Sequence, residues 1–159
     1  MATSLTPQHL AEVLPGAWGL GATSQLFWLD GRHGEPRFTF RVAGMSSLRL
    51  TETIEFANLD GRPRILAGKT RWVRDEFVWR GSGADALVTR RWSAAGVDET
   101  GSILVMRNRR TRAFANGIDI LVREGAELGE LRTIVASTAA ELGLSPEDFA
   151  SLTWIRRND

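Results

Sequence analysis

The sequence predicts an all-β fold with minor α: a closed antiparallel meander β-barrel of about ten strands, a short helix before it and a C-terminal helix packed on its outside. Three observations carry that reading. Turn residues punctuate the chain from Trp18 to Arg123, among them Asp30-Gly31, Asp60-Gly61 and Asn116-Gly117, dipeptides that tolerate the positive φ of tight hairpins. Apolar and polar residues alternate between the turns: in 37–43, Phe38, Phe40 and Val42 oppose Arg37, Thr39 and Arg41. A meander this long exposes two sheet edges unless it closes on itself. The length of 159 residues, with no repeat, linker or low-complexity stretch, fits one domain, 1–159.

The elements follow in order. Thr6-Pro7 supplies a hydroxyl N-cap and a proline at the first helical position, Leu10, Val13 and Leu14 make an apolar stripe, and Pro15-Gly16 ends the helix. Strands are expected at 17–29, 37–43, 47–57, 64–73, 76–80, 86–94, 102–108, 111–115 and 117–123. In 47–57, Leu48, Leu50, Ile54 and Phe56 share a face with Glu52. Ile103 to Met106 and Ile118 to Val122, apart from Asp119, are apolar on both faces and so need cover outside the barrel as well as filling inside. Leu128, Leu131, Ile134, Val135, Thr138 and Leu142 recur at helical spacing and supply that cover in a helix over 126–142. Gly143 ends it. Ser145-Pro146-Glu147-Asp148 starts a second short helix. Leu152 to Arg156 is expected as a last strand that pairs with the first and closes the barrel.

Composition narrows the chemistry. Lys plus Arg is 20 against 19 Asp plus Glu, a net charge of +1, so no nucleic-acid or membrane partner is expected. The absence of Cys excludes disulfides, thiolate metal sites and a Cys nucleophile, and the absence of Tyr excludes a phenol. The two histidines, His9 and His33, have no metal-ligand spacing, and no phosphate-loop, dinucleotide or nucleophile-elbow motif occurs. No metal and no cofactor are expected. The N-terminus has neither a basic nor an apolar signal region, so the expected location is cytoplasmic. Six Trp and nineteen Arg against one Lys, Lys69, are the compositional oddities.

The layout resembles the lipocalin-like, or calycin, group of β-barrels. The resemblance rests on Gly16-Ala17-Trp18 at the mouth of the first strand after a short helix, on the antiparallel meander, on Arg123 at the end of the last meander strand, and on a following helix. It implies that Arg123 packs over Trp18 as a structural plug at a closed end, and that a ligand enters at the other. Lipocalins usually have eight strands; nine or ten here suit the ten-stranded members, although the late His that haem-binding nitrobindins use is missing from Leu152–Arg156.

The densest polar-aromatic text is Arg71-Trp72, Trp79-Arg80 and Arg90-Arg91-Trp92. Neighbours on a strand point to opposite faces, so each Trp-Arg pair splits, and one of Arg90 and Arg91 points inward or is covered. An inward guanidinium needs an internal acid, from Glu52, Glu55, Asp75, Glu76 or Asp119, or a ligand anion. The candidate ligand-binding residues are Trp28, Trp72 and Trp79 as walls, Arg91 as the anion contact and Glu52 as an inward acid. Arg107, Arg109, Arg110 and Arg112 are expected in a solvated turn. The expected function is non-covalent binding of a small apolar or amphipathic molecule, with or without a carboxylate. An isomerase, cyclase or decarboxylase on the same barrel, or a packed interaction module, are the alternatives. A cavity excludes the packed module, and an inward acid with a raised pKa beside it favours the enzyme.

Overall fold

Thr6 caps helix α1 (Pro7–Val13) by accepting a hydrogen bond from the His9 N–H at 3.2 Å, with Pro7 in the first turn. Strand β1 (Gly16–Thr23) follows directly. It pairs along one edge with β8 (Gly117–Arg123) and along the other with β2 (Gly34–Gly44). Between β2 and β8 the meander runs through β3 (Arg49–Ala57), β4 (Pro63–Val73), β5 (Glu76–Gly81), β6 (Thr89–Val97) and β7 (Ile103–Arg109), every neighbouring pair antiparallel. The computed structural model describes residues 5–30 and 34–155. In it, eight strands close into a barrel and a two-residue β9 (Thr153–Trp154) is added at one side.

The strand count is therefore eight rather than about ten, for two local reasons. The stretch 111–115 is a turn, not a strand: Thr111 N–H donates to Phe114 O at 2.8 Å, and the Thr111 hydroxyl donates to Thr89 O. The closing pair is β1 with β2. Strand β9 only extends the same edge of β1 beyond β2, opposite Ala22 and Thr23. The expected first strand, 17–29, also breaks early. The Thr23 hydroxyl accepts the Gln25 N–H and the Ser24 hydroxyl accepts the Ile118 N–H, which turns the chain into the four-residue helix α2 (Leu26–Leu29). The expected turn at Asp30-Gly31, and Arg156, fall partly or wholly outside the described residues.

The helix expected over 126–142 is shorter, α3 (Leu131–Thr138), followed by turns to Gly143. Its apolar stripe lands as expected. Val135 and Leu142 are buried with Ala22, Ile103, Val105, Ile118 and Ile120 in a cluster outside the barrel wall. Helix α4 (Pro146–Ala150) starts at a reciprocal capping box between Ser145 and Asp148.

The antiparallel meander gives the barrel two unlike ends. The α1 end holds the start of β1 and the end of β8. The α2 end holds α2 and the loops 58–62, 82–88 and 110–116. Inside, Phe38, Phe40, Leu50, Ile54, Phe77, Trp79, Trp92, Leu104, Met106 and Leu121 are all fully buried.

Candidate functional site at the α2 end of the barrel

The α1 end is sealed by directional bonds. Trp18 and Arg123 are cross-strand partners in the β1–β8 ladder, and the Arg123 guanidinium lies 4.3 Å from the Trp18 ring centroid. Its N–H groups donate to three backbone oxygens: Gly101 at 3.0 Å, Pro15 at 2.8 Å, and Val13. The Trp18 indole N–H donates to Leu14 O at 2.9 Å, so the ring is tied to the last turn of α1. Gly16 has φ +120°, and a Cβ there would stand 2.8 Å from Arg123 Nη1. The first residue of Gly-x-Trp is thus glycine both for its backbone and for the guanidinium it admits.

The α2 end is roofed by rings instead. Phe27 meets Trp28 at 4.6 Å, Phe114 at 5.0 Å and Phe56 at 6.1 Å between centroids. Trp28 meets Phe56 at 5.8 Å and Phe38 at 6.0 Å. Trp28 therefore stands on a helix in the mouth, not late in a strand as expected.

Beneath the roof lies a row of buried polar side chains. Glu52 is fully buried. One of its oxygens pairs with Arg90 Nη1, and the other accepts the Thr70 hydroxyl at 2.7 Å and the Trp92 indole N–H at 3.2 Å. The Trp79 indole donates to the Glu52 backbone oxygen at 3.0 Å. That bond depends on Gly68, since a Cβ there would stand 2.6 Å from Trp79 Nε1. Arg90 Nη2 contacts Met106 Sδ at 3.4 Å and reaches Asn108 Oδ1 only at 3.5 Å, a long N–H···O distance. Phe38, Trp79 and Phe114 cage the guanidinium at 5.6–5.9 Å. Asn108 then donates to Asp119 Oδ2 at 2.9 Å, as does Gln25 Nε2 at 2.7 Å, and the Thr23 hydroxyl donates to Asp119 Oδ1 at 2.6 Å. Burial pushes the Asp119 carboxyl above its ordinary pKa, and Thr23, Arg90, Asn108 and Gln25 oppose that shift. Gln25 Oε1 is buried and has no hydrogen-bond partner among the described residues.

The expected site residues are divided among four places, with Trp28 in the roof as one of them. Glu52 and Trp79 meet in the polar row. Trp72 is half-buried toward the α1 end, 4.8 Å from Phe77, well away from Trp28. Arg91 points outward, its side chain 48 % exposed and 3.3 Å from Glu76, and Arg90 takes the inward place at 3 %. The correction has a simple cause. Trp92 is buried, so the residue two before it shares its face, and that residue is Arg90. The same period-two rule was legible in Arg90-Arg91-Trp92. Sequence reasoning did not single out Thr23, Gln25, Thr70, Asn108 or the roof phenylalanines as site residues. Only Asp119, the lone polar residue in an apolar strand, left a signal.

No protein-family model and no curated protein sequence matches the chain. Solved structures do match. Lobster apocrustacyanin A1 superposes with a TM-score of 0.65 at 10% identity, over 100% of this chain and 89% of that one. The siderocalin Ex-FABP gives 0.58 at 14% identity, over 92% and 96%. The fold is lipocalin-like. A third lipocalin-like match is the amine-binding protein of Rhodnius prolixus in its tryptamine complex, with a TM-score of 0.62 at 10% identity over 97% and 84%. Eight strands, rather than ten, are also the usual number for a lipocalin-like barrel.

Proposed function

We propose that this barrel binds a small amphipathic molecule at its α2 end. The observation that carries the reading is the arrangement there: ring edges on a four-residue helix cover a buried polar row that contains an orphan acceptor, Gln25 Oε1. A ligand that displaces the Phe27–Trp28 cover places an apolar body among Phe27, Trp28, Phe56 and Phe114 and offers a donor to that oxygen. With the cover displaced, the space would be apolar with few placed polar groups, the composition usual for small-molecule pockets.

The charges in the row argue against an anion. It contains one guanidinium, already neutralised by Glu52, and a second carboxyl, Asp119. A ligand carboxylate would meet no spare cation there, whereas an alcohol or amine would meet acceptors. The raised Asp119 carboxyl is the one feature on the side of the enzyme reading, but both its oxygens are already held by three donors.

Native mass spectrometry of the purified protein is the first test, and a co-purified small molecule is the expected result. Tryptophan fluorescence titrated with an amine, an alcohol and an acid on one flat apolar skeleton tests the charge argument. Binding of the amine or alcohol ahead of the acid is expected. Tighter binding of the acid would overturn the charge argument, and no binding of any class would leave the packed module as the better reading.

A further inference from the structure

The outer wall of the barrel carries a second feature that is independent of its interior. A groove of about 510 Å³ lies across β3, β4 and β5, lined by Ala43, Arg49, Lys69, Arg71, Val78 and Arg80 together with the backbone floor at Leu50 and Thr70. Arg49, Lys69, Arg71 and Arg80 are exposed. Among the described residues none of the four has an ion pair or a side-chain hydrogen bond. Elsewhere on the surface Arg37, Arg64, Arg91, Arg107 and Arg109 each face an acid.

The register makes the crowding specific. Arg49 stands directly opposite Arg71, and Lys69 directly opposite Arg80. Like charges in directly opposed positions destabilise a sheet, and an acid at either place would remove the cost. The alternation that turns Trp72, Trp79 and Trp92 inward puts Arg71 and Arg80 outward, but it does not require both cross-strand partners to be basic as well.

We infer that this groove binds a compact polyanion, a small molecule or headgroup bearing two or more phosphate groups close together. Neighbouring strands are ~4.8 Å apart, and alternate residues along a strand about 7 Å apart. Four cations on that footprint converge on the area of a di- or triphosphate. Guanidinium forks match phosphate oxygens two at a time, and Lys69 adds a point charge. Ala43 and Val78 give the groove an apolar border for an organic portion. The patch is compact rather than a track, and the indoles of these strands face inward. It therefore offers no stacking platform for bases, and a single-stranded nucleic acid fits it less well.

Amide NMR of the full chain, titrated with tripolyphosphate at low salt, is the test. Saturable shifts confined to 49–51, 68–72 and 78–81 are expected, with much weaker ones from sulfate at matched ionic strength. The double variant K69E/R71E should weaken binding about tenfold or more while its thermal midpoint stays level or rises, because two opposed like-charge pairs become opposite-charge pairs. Sedimentation with phosphatidylinositol-bisphosphate vesicles, against phosphatidylcholine alone, separates the sources. Co-sedimentation that K69E/R71E abolishes assigns a membrane headgroup, and tripolyphosphate binding without it assigns a free phosphate compound. Shifts spread evenly over the protein, equal shifts from sulfate, or unchanged affinity in the double variant would overturn the inference.

Discussion

The two ends of the barrel are closed by different physics. At the α1 end one guanidinium stacks on one indole and ties three backbone oxygens from two separate segments, 13 and 15 before β1 and 101 before β7. Each of those bonds has a direction and a length, so the seal has one geometry. At the α2 end the cover consists of ring edges at 4.6–6.1 Å on a helix whose N-cap, Gln25, makes no side-chain cap bond. Ring contacts of this kind are weakly directional and contribute roughly 0.5–1.5 kcal/mol each beyond burial. On the proposed function, the ring-covered end is the one a ligand would have to open.

The largest effect that sharpens this contrast lies just under the ring cover. Glu52→Ala leaves Arg90 buried without its acid, and a loss of about 3–5 kcal/mol in urea unfolding is expected. Glu52→Gln keeps an acceptor for Thr70 and Trp92 and should lose less. If Glu52→Ala unfolds like the parent, the row is not closed to water and the picture of the α2 end fails.

Next are the two seals. Arg123→Ala removes the stack and all three carbonyl bonds and should cost about 2 kcal/mol, with Arg123→Lys recovering only part because an ammonium cannot span the three oxygens. Trp28→Ala should cost less than the ~3–5 kcal/mol of a truncated core tryptophan, since α2 can settle into the gap. It should also weaken ligand binding, whereas Arg123→Ala should not. Equal effects of the two variants on binding would erase the functional difference between the ends.

The pH dependences of Asp148 and Asp119 are opposite in sign, and that of Asp148 is the smallest effect. Asp148 is held down to about 2 by its hydrogen bond from Arg107 and by the Ser145 N–H. Its contribution is complete above the unfolded value of 3.8 and is lost as pH falls toward 2. Solvent screening limits it to about 0.5 kcal/mol. Asp119 is shifted upward by burial, so its contribution is present at low pH and is lost as pH rises from 3.8 through its raised folded value. Urea midpoints of Asp148→Asn and Asp119→Asn against the parent across pH 2–7 check both. An Asp119 profile that rises with pH would reverse the sign and the burial argument with it.

Much of the candidate site was legible because it obeys a period. Glu52 lies on the apolar face of 47–57 and is buried there. Asp119 is the one polar residue in the otherwise apolar run 118–122, and it lies at the far end of the row. Arg91, expected to meet a ligand anion, faces outward because the buried Trp92 places Arg90, two positions before it, on the inner face. The α2 turn was hidden because Leu26 to Leu29 is apolar enough to continue a strand. What ends the strand is the pair of hydroxyls at Thr23 and Ser24, whose partners on the backbone are not visible in a linear pattern.

By itself, the sequence determined the meander, the caps of α1 and α4, the buried face of most strands and the outside cover by Val135 and Leu142. These depend on neighbours within a few residues, and local spacing encodes them. Tertiary structure alone decided that the barrel has eight strands, that β2 rather than β9 closes it, and that residues 23, 25, 52, 90, 108 and 119 form one row. Those outcomes rest on contacts between positions far apart in the chain, such as Thr23 and Asp119, 96 residues apart, where register and burial compete. No short-range pattern records which distant partner satisfies a buried polar group.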